Sequence, residues 1–153
     1  MVNLDVVGYI IKGRANNQSD DSLMSGARDR GYAELDMQDC MKAIDADEIF
    51  VVRTLWFLTP ISPIFYTFGT RKVSKQRNIL WGLMKDNDEI GIRTIDNVRV
   101  EQGLITATVI IVHSDKSEVH IDKISRADAK KIDKFFSDVI ECQRAKVVNI
   151  AQD

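Results

Sequence analysis

Across residues 89–112 apolar and polar positions alternate along two long segments. Ile90, Ile92 and Thr94 interleave with Gly91 and Arg93, and further on Val98 and Val100 interleave with Arg99 and Glu101. A period of two puts successive side chains on opposite faces of a pleated strand, so the stretch reads as half-buried β-structure. Ile95-Asp96-Asn97 separates the two runs. Asp and Asn tolerate bulged or left-handed backbone, and the tripeptide predicts a bulge or corner where the chain passes between parts of a sheet. Gln102-Gly103 predicts a reversal, because glycine takes positive φ without steric cost. The return strand, 104–112, is almost wholly apolar or Thr and is expected in the middle of a curved sheet or barrel.

The same patterning predicts the other elements. Residues 2–11 are apolar enough for a strand and 12–21 (KGRANNQSDD) form a polar loop, together an arm and a linker. Ser22 is placed to cap a short helix through Arg30 that Gly31 ends. Leu35, Cys40, Met41 and Ile44 approximate helical spacing over 34–46; the narrow stripe suits the outside of a domain or docking on another subunit. Residues 48–68 are the most apolar part of the chain. Pro60 and Pro63 in the middle, and the need for about 20 uninterrupted apolar residues, argue against a membrane helix. Two buried strands, 49–58 and 64–69, are expected instead. Trp56, Phe57, Phe65, Tyr66, Phe68 and Trp81 are read as core rather than as a platform for stacked bases. Residues 70–78 read as an edge strand or loop and 79–84 as a further strand, closed by a turn at Lys85-Asp86-Asn87-Asp88. A turn at 114–117 leads to a last strand, 118–124. Ser125 with Asp128 resembles a capping box with Asp in place of Glu. It opens a helix whose Ile132, Phe135, Phe136, Val139 and Ile140 share one face and are expected to cover the sheet.

At 153 residues the chain has the length of one domain: an extension over 1–46, a body over 47–146 and a tail over 147–153. The net charge of -2 is spread over interspersed acids and bases, which disfavours general nucleic-acid binding. Cys40 and Cys142 stand far apart, with no CxxC and no Cys/His cluster, and read as reduced thiols packed as small hydrophobes. Asp5 and Lys12 interrupt and end the apolar N-terminus, unlike a signal peptide, so a cytoplasmic location is expected. No Gly-rich phosphate loop, GxSxG elbow or Cys/His pairing of recognised spacing is present, and neither catalysis nor a cofactor is expected.

Two constellations carry candidate chemistry. If Arg71, Val73, Lys75 and Arg77 alternate on a strand, three cations share a face, and with Lys72 they offer anionic headgroups a basic edge, each cation worth about 1 kcal/mol near such a surface. The alternative is an edge strand guarded against aggregation by its charges. His113 and His120 flank one turn. A two- or four-residue loop there sets 113 opposite 118 and puts His113, Glu118 and His120 on one face as metal ligands. A three-residue loop sets 113 opposite 119 and 111 opposite 121, joins Ile105, Ala107, Val109 and Ile111 to Val119 and Ile121 on one apolar face, and turns the histidines to opposite sides. Ile110 and Val112 make the other face nearly as apolar, so both registers stay open.

Particular residues extend the pattern into a resemblance. Thr70-Arg71-Lys72 enters a strand, Trp81-Gly82 ends one and Glu89-Ile90 opens one; Ile95-Asp96-Asn97-Val98 precedes Val100, and Gln102-Gly103-Leu104 reverses the chain before the final helix. Over residues 47–144 these features resemble bacterial pleckstrin-homology (PH)-like domains. The resemblance implies an α+β fold, a strongly bent antiparallel barrel of about seven strands plugged at one end by the C-terminal helix. It implies a non-catalytic module for assembly, protein contacts or membrane association, and several members resemble builders of symmetric oligomers. The basic pocket by which some eukaryotic members hold phosphoinositides is not identifiable here. The leading expectation is a homo-oligomer in which residues 1–46 reach a neighbouring subunit, or binding to another protein. Peripheral attachment to an anionic membrane through Arg71, Lys72, Lys75 and Arg77 comes second, and a small metal-dependent enzyme around His113 and His120 last.

Overall fold

Asn3 opens the first element: its side chain accepts a hydrogen bond from the Asp5 N–H at 2.9 Å, and helix α1, Leu4–Ala15, follows. The computed structural model, which describes residues 2–79 and 83–152, thus has a helix where the apolar run predicts a strand. Spacing explains the difference. Val6, Val7, Ile10 and Ile11 recur at helical intervals and all four are buried. They pack against the C-terminal helix α4, Arg126–Gln152, and against α3, Glu34–Asp45. Gly8 permits the close approach to α4, since a Cβ there would lie 2.6 Å from Asp138 Oδ2. Lys12 bridges Asp138 and Glu141 at 3.1 Å each, and these bonds, to Glu141 above all, raise its ammonium above the ordinary lysine range.

Helix α2, Asp20–Asp29, is capped by Ser19 rather than Ser22: the Ser19 hydroxyl accepts the Ser22 N–H at 3.2 Å. It ends before Gly31, whose φ of 81° is the left-handed value that ending requires. In α3 the buried residues are Met37, Cys40 and Ile44, while Leu35 is 73% exposed. α1 therefore packs on the chain's own C-terminal helix, with α2 and α3 layered against α1, and α1 finds its apolar partners within the same chain.

Seven strands are described, all paired antiparallel, in two sheets. The first is β1 Phe50–Arg53, β2 Ile64–Phe68, β3 Lys72–Ile79 and β4 Met84–Gly91, in that order; the second is β5 Ile95–Gln102, β6 Ala107–His113 and β7 Glu118–Ile124. The chain crosses between sheets at residues 92–94, and the register slips between Ile95 and Asn97, where the sequence predicts a bulge. β6 is the central strand of its sheet, as its composition predicts. The described strands make two sheets rather than a closed barrel, with the Leu55 N–H donating to the Lys123 carbonyl at 2.8 Å between them.

Four expectations about the strands need correction. β3 is no edge strand, because it pairs with β2 on one side and β4 on the other. The strand predicted over 79–84 is divided between β3 and β4, Ile79 pairing with Met84, and its Leu80-Trp81-Gly82 lies outside the described residues. Lys85-Asp86-Asn87-Asp88 runs within β4 despite its turn chemistry, since Asp86 and Asp88 face Arg77 and Lys75 as opposite-charge cross-strand pairs. β1 is also shorter than predicted, and residues 54–63 leave the sheet.

The core lies between the sheets and α4. Tyr66, Phe68 and Val73 from the first sheet and Val109, Ile111 and Ile121 from the second are buried with Ile132, Phe135, Phe136 and Val139. Ser125 caps α4, its hydroxyl accepting the Asp128 N–H at 3.1 Å. A buried carboxylate ties the helical layer to the first sheet. Asp47, at φ 57°, accepts bonds from the Thr70 N–H at 2.7 Å, the Thr70 hydroxyl at 3.1 Å and the Arg71 N–H at 3.3 Å. Gly69 fits beneath it, because a Cβ there would lie 2.3 Å from the Asp47 carbonyl oxygen.

Candidate functional site

The four basic residues do not form a free edge. Val73, Lys75 and Arg77 share a face, as alternation predicts, but it is the face on which Val73, Tyr66 and Ile64 are buried. Lys75 stands opposite Asp88 and Arg77 opposite Asp86, and these four side chains line a recess of about 110 Å³. Lys72 Nζ lies 3.4 Å from Glu89 Oε1. Arg71 lies apart in the β2–β3 turn, on a cleft of about 350 Å³ that Arg14, Cys142 and Gln143 also line. The acids of β4 thus offset three of the four cations locally. Such surface pairs contribute little to stability, about 0–1 kcal/mol each, but they cancel the local field.

The histidines are turned to opposite sides. Ile111 pairs with Val119, Ile110 with His120 and Val112 with Glu118, a register shifted by two residues from the predicted 111–121 pair but of the same parity. Val109, Ile111, Val119 and Ile121 are accordingly all buried on one face. His113 points inward and is only 3% exposed. His120 points outward, its Nε2 2.9 Å from Glu118 Oε2. His113, Glu118 and His120 are not brought together, and among the described residues no group of three His, Cys, Asp or Glu side chains has metal-binding geometry.

His113 belongs to a brace across the β6–β7 turn. The Ser117 hydroxyl donates to Asp115 Oδ1 at 2.6 Å and accepts from His113 Nδ1 at 3.0 Å, so Nδ1 carries the hydrogen. The bonds from the Ser117 hydroxyl and N–H hold the Asp115 carboxyl below the ordinary carboxylate range. His113 Nε2 is buried with no hydrogen-bond partner among the described residues. Cys40 is fully buried and its thiol is pushed up by that burial, in keeping with a small hydrophobe.

A different feature stands out at the far ends of the strands. In the β1–β2 connection Thr54 is buried; its hydroxyl accepts the Ile64 N–H at 3.1 Å and meets the Thr59 hydroxyl at 2.6 Å. That brace turns Trp56, Phe57, Leu58 and Ile61 outward, Trp56 being 70% exposed. The Asn78 N–H donates to the Pro63 carbonyl at 3.0 Å, which sets the end of β3 beside this connection. Leu83, just before β4, is 82% exposed, with Met84 next to it. At the β5–β6 turn the Arg126 guanidinium donates to the Gly103 and Leu104 carbonyls, leaving Leu104 94% exposed and Ile105 exposed beside it. Ile124 pairs with Ala107 just beyond that turn, and Lys123 bonds Leu55, so the three connections share one end of the molecule. Single exposed apolar residues are ordinary on a surface; clusters of them mark interaction sites.

Trp56 and Phe57 are thus surface residues, contrary to the expectation that they are core. Trp81 lies outside the described residues. The available signal was an excess: 48–68 holds more apolar residues than strands of four and five residues can bury. Among the described residues no helix is long and apolar enough to cross a membrane. Comparison with family models, curated proteins and solved structures yields no match.

Proposed function

We propose that this chain is a non-catalytic interaction module of pleckstrin-homology-like architecture that docks through its apolar loop end. Support for the architecture is the order of four and then three antiparallel strands followed by a covering helix. The observation that carries the docking reading is the gathering of Trp56, Leu83 and Leu104 at one end, each more than two-thirds exposed. Full burial of such a side chain is worth about 1.5–3 kcal/mol, and the braces at Thr54 and Arg126 keep that gain for a partner. In support of a non-catalytic role, the imidazole of the Asp115–Ser117–His113 chain is closed to solvent. The buried free thiol of Cys40 agrees with a cytoplasmic location.

Self-association through residues 1–46 loses its motive, because α1 is covered by α4 of the same chain. Hydrophobic-interaction chromatography tests the loop end directly. The triple variant Trp56→Ser, Leu83→Ser, Leu104→Ser should elute from a phenyl column earlier in a falling ammonium sulfate gradient, at a clearly higher salt concentration than the wild type. Its stability should stay within about 0.5 kcal/mol per substitution, as for other surface changes. Unchanged retention would mean that something already covers these side chains in solution, and the reading would fail.

A further inference from the structure

We infer that the occupant of the loop end is the surface of an anionic lipid bilayer. The inference rests on the docking reading above and adds the partner's chemistry. Shape is the first argument. The apolar side chains stand on three separate turns at strand ends, projecting rather than lining a groove. A fluid bilayer accepts such a tripod, whereas a partner helix needs a continuous apolar trough. A cleft of about 470 Å³ lies elsewhere, between α1 and α4, and is lined by Asp5, Lys12, Lys134 and Asp138 in ion pairs.

Residue type is the second argument. Trp56 and Phe57 meet edge to face with ring centroids 5.9 Å apart, and aromatic rings of this kind favour the level of lipid headgroups. Charge is the third. Arg53 precedes the first turn, Lys85 follows the second, and Lys123 and Arg126 stand at the root of the third; all four are exposed. The neighbouring acids are Asp86, which faces Arg77 across the strands, Glu101, Asp122 and Asp128. Each of the three connections thus has an exposed cation at its root, in a chain whose net charge is -2. Turns of this size insert only to headgroup depth, because the strand ends beneath them carry polar backbone that hydrocarbon does not hydrate. Apolar contact supplies the affinity and the exposed cations at the roots of the connections supply the preference for anionic lipid.

Flotation of the full chain with vesicles of phosphatidylcholine, with and without phosphatidylglycerol, tests this. The wild type is expected to float with the phosphatidylglycerol vesicles. The Trp56→Ser, Leu83→Ser, Leu104→Ser variant should bind at least about tenfold more weakly. Lys85→Ser with Lys123→Ser should erase the preference for the anionic vesicles while leaving the far-ultraviolet circular dichroism unchanged. A wild type that does not float at low salt, or a triple variant that floats equally well, overturns the bilayer. If the wild type stays down while the triple variant still elutes early from the phenyl column, the docking end stands and its occupant is a protein. Sedimentation velocity then identifies a second copy of this chain if a dimer is lost in the variant. If neither flotation nor retention responds, both readings fall.

Discussion

Replacing Phe136 by Ala is expected to lower the stability of the fold by about 3–5 kcal/mol, the usual cost of emptying a buried aromatic site. Phe136 is fully buried; its ring meets Phe68 of β2 at 5.9 Å and Phe135 at 5.1 Å, both edge to face. Phe135 in turn meets Phe50 of β1 at 5.3 Å, so one cluster joins α4 to the first sheet. Removing the ring forfeits its transfer free energy and leaves a cavity that helix and sheet, each held by its own hydrogen bonds, can close only in part. Total stabilities of such domains run about 5–15 kcal/mol, so the variant loses a large share. Urea denaturation followed by circular dichroism checks this. A loss below about 1 kcal/mol would mean that α4 does not cover the sheet in this way.

Asp47→Ala is the second large expected effect, roughly 2–4 kcal/mol. One oxygen receives the Thr70 N–H, the Thr70 hydroxyl and the Arg71 N–H, and the residue sits at a left-handed φ of 57° that Asp and Asn tolerate better than Ala. The substitution strands these donors in a part-buried turn and adds backbone strain. Asp47→Asn keeps an acceptor oxygen and the tolerance for that backbone, so it should cost about half as much or less. Thermal unfolding of the two variants separates the contributions. Equal losses would show that the acceptor does not matter, and no loss in either would remove the clamp from the account.

What the sequence disclosed follows from how far local rules reach. β7 and the start of α4 are legible because alternation, a turn and a capping serine agree with one another. The sheet crossing near Ile95 is legible because Asp96 and Asn97 mark it. α1 is not, since a ten-residue apolar run containing Gly8 satisfies strand and helix alike, and its burial depends on α4, more than a hundred residues away. β4 defeats the turn reading of Lys85-Asp86-Asn87-Asp88 because its charges are matched across the sheet rather than along the chain. The basic residues were visible and their acidic neighbours were not, for the same reason. Trp56 and Phe57 were mistaken for core because composition reports that a residue is apolar, not whether the fold has room for it.

The central claim is that docking belongs to the apolar loop end and not to the basic strand. Flotation with phosphatidylglycerol vesicles of two variants side by side tests it most directly. One carries Ser at Trp56, Leu83 and Leu104; the other carries Ser at Lys75, Arg77, Asp86 and Asp88, which removes two positive and two negative charges and leaves the formal net charge at -2. The account predicts that the first variant stays at the bottom of the gradient while the second rises with the vesicles like the wild type. The reverse outcome would return the site to β3 and contradict it.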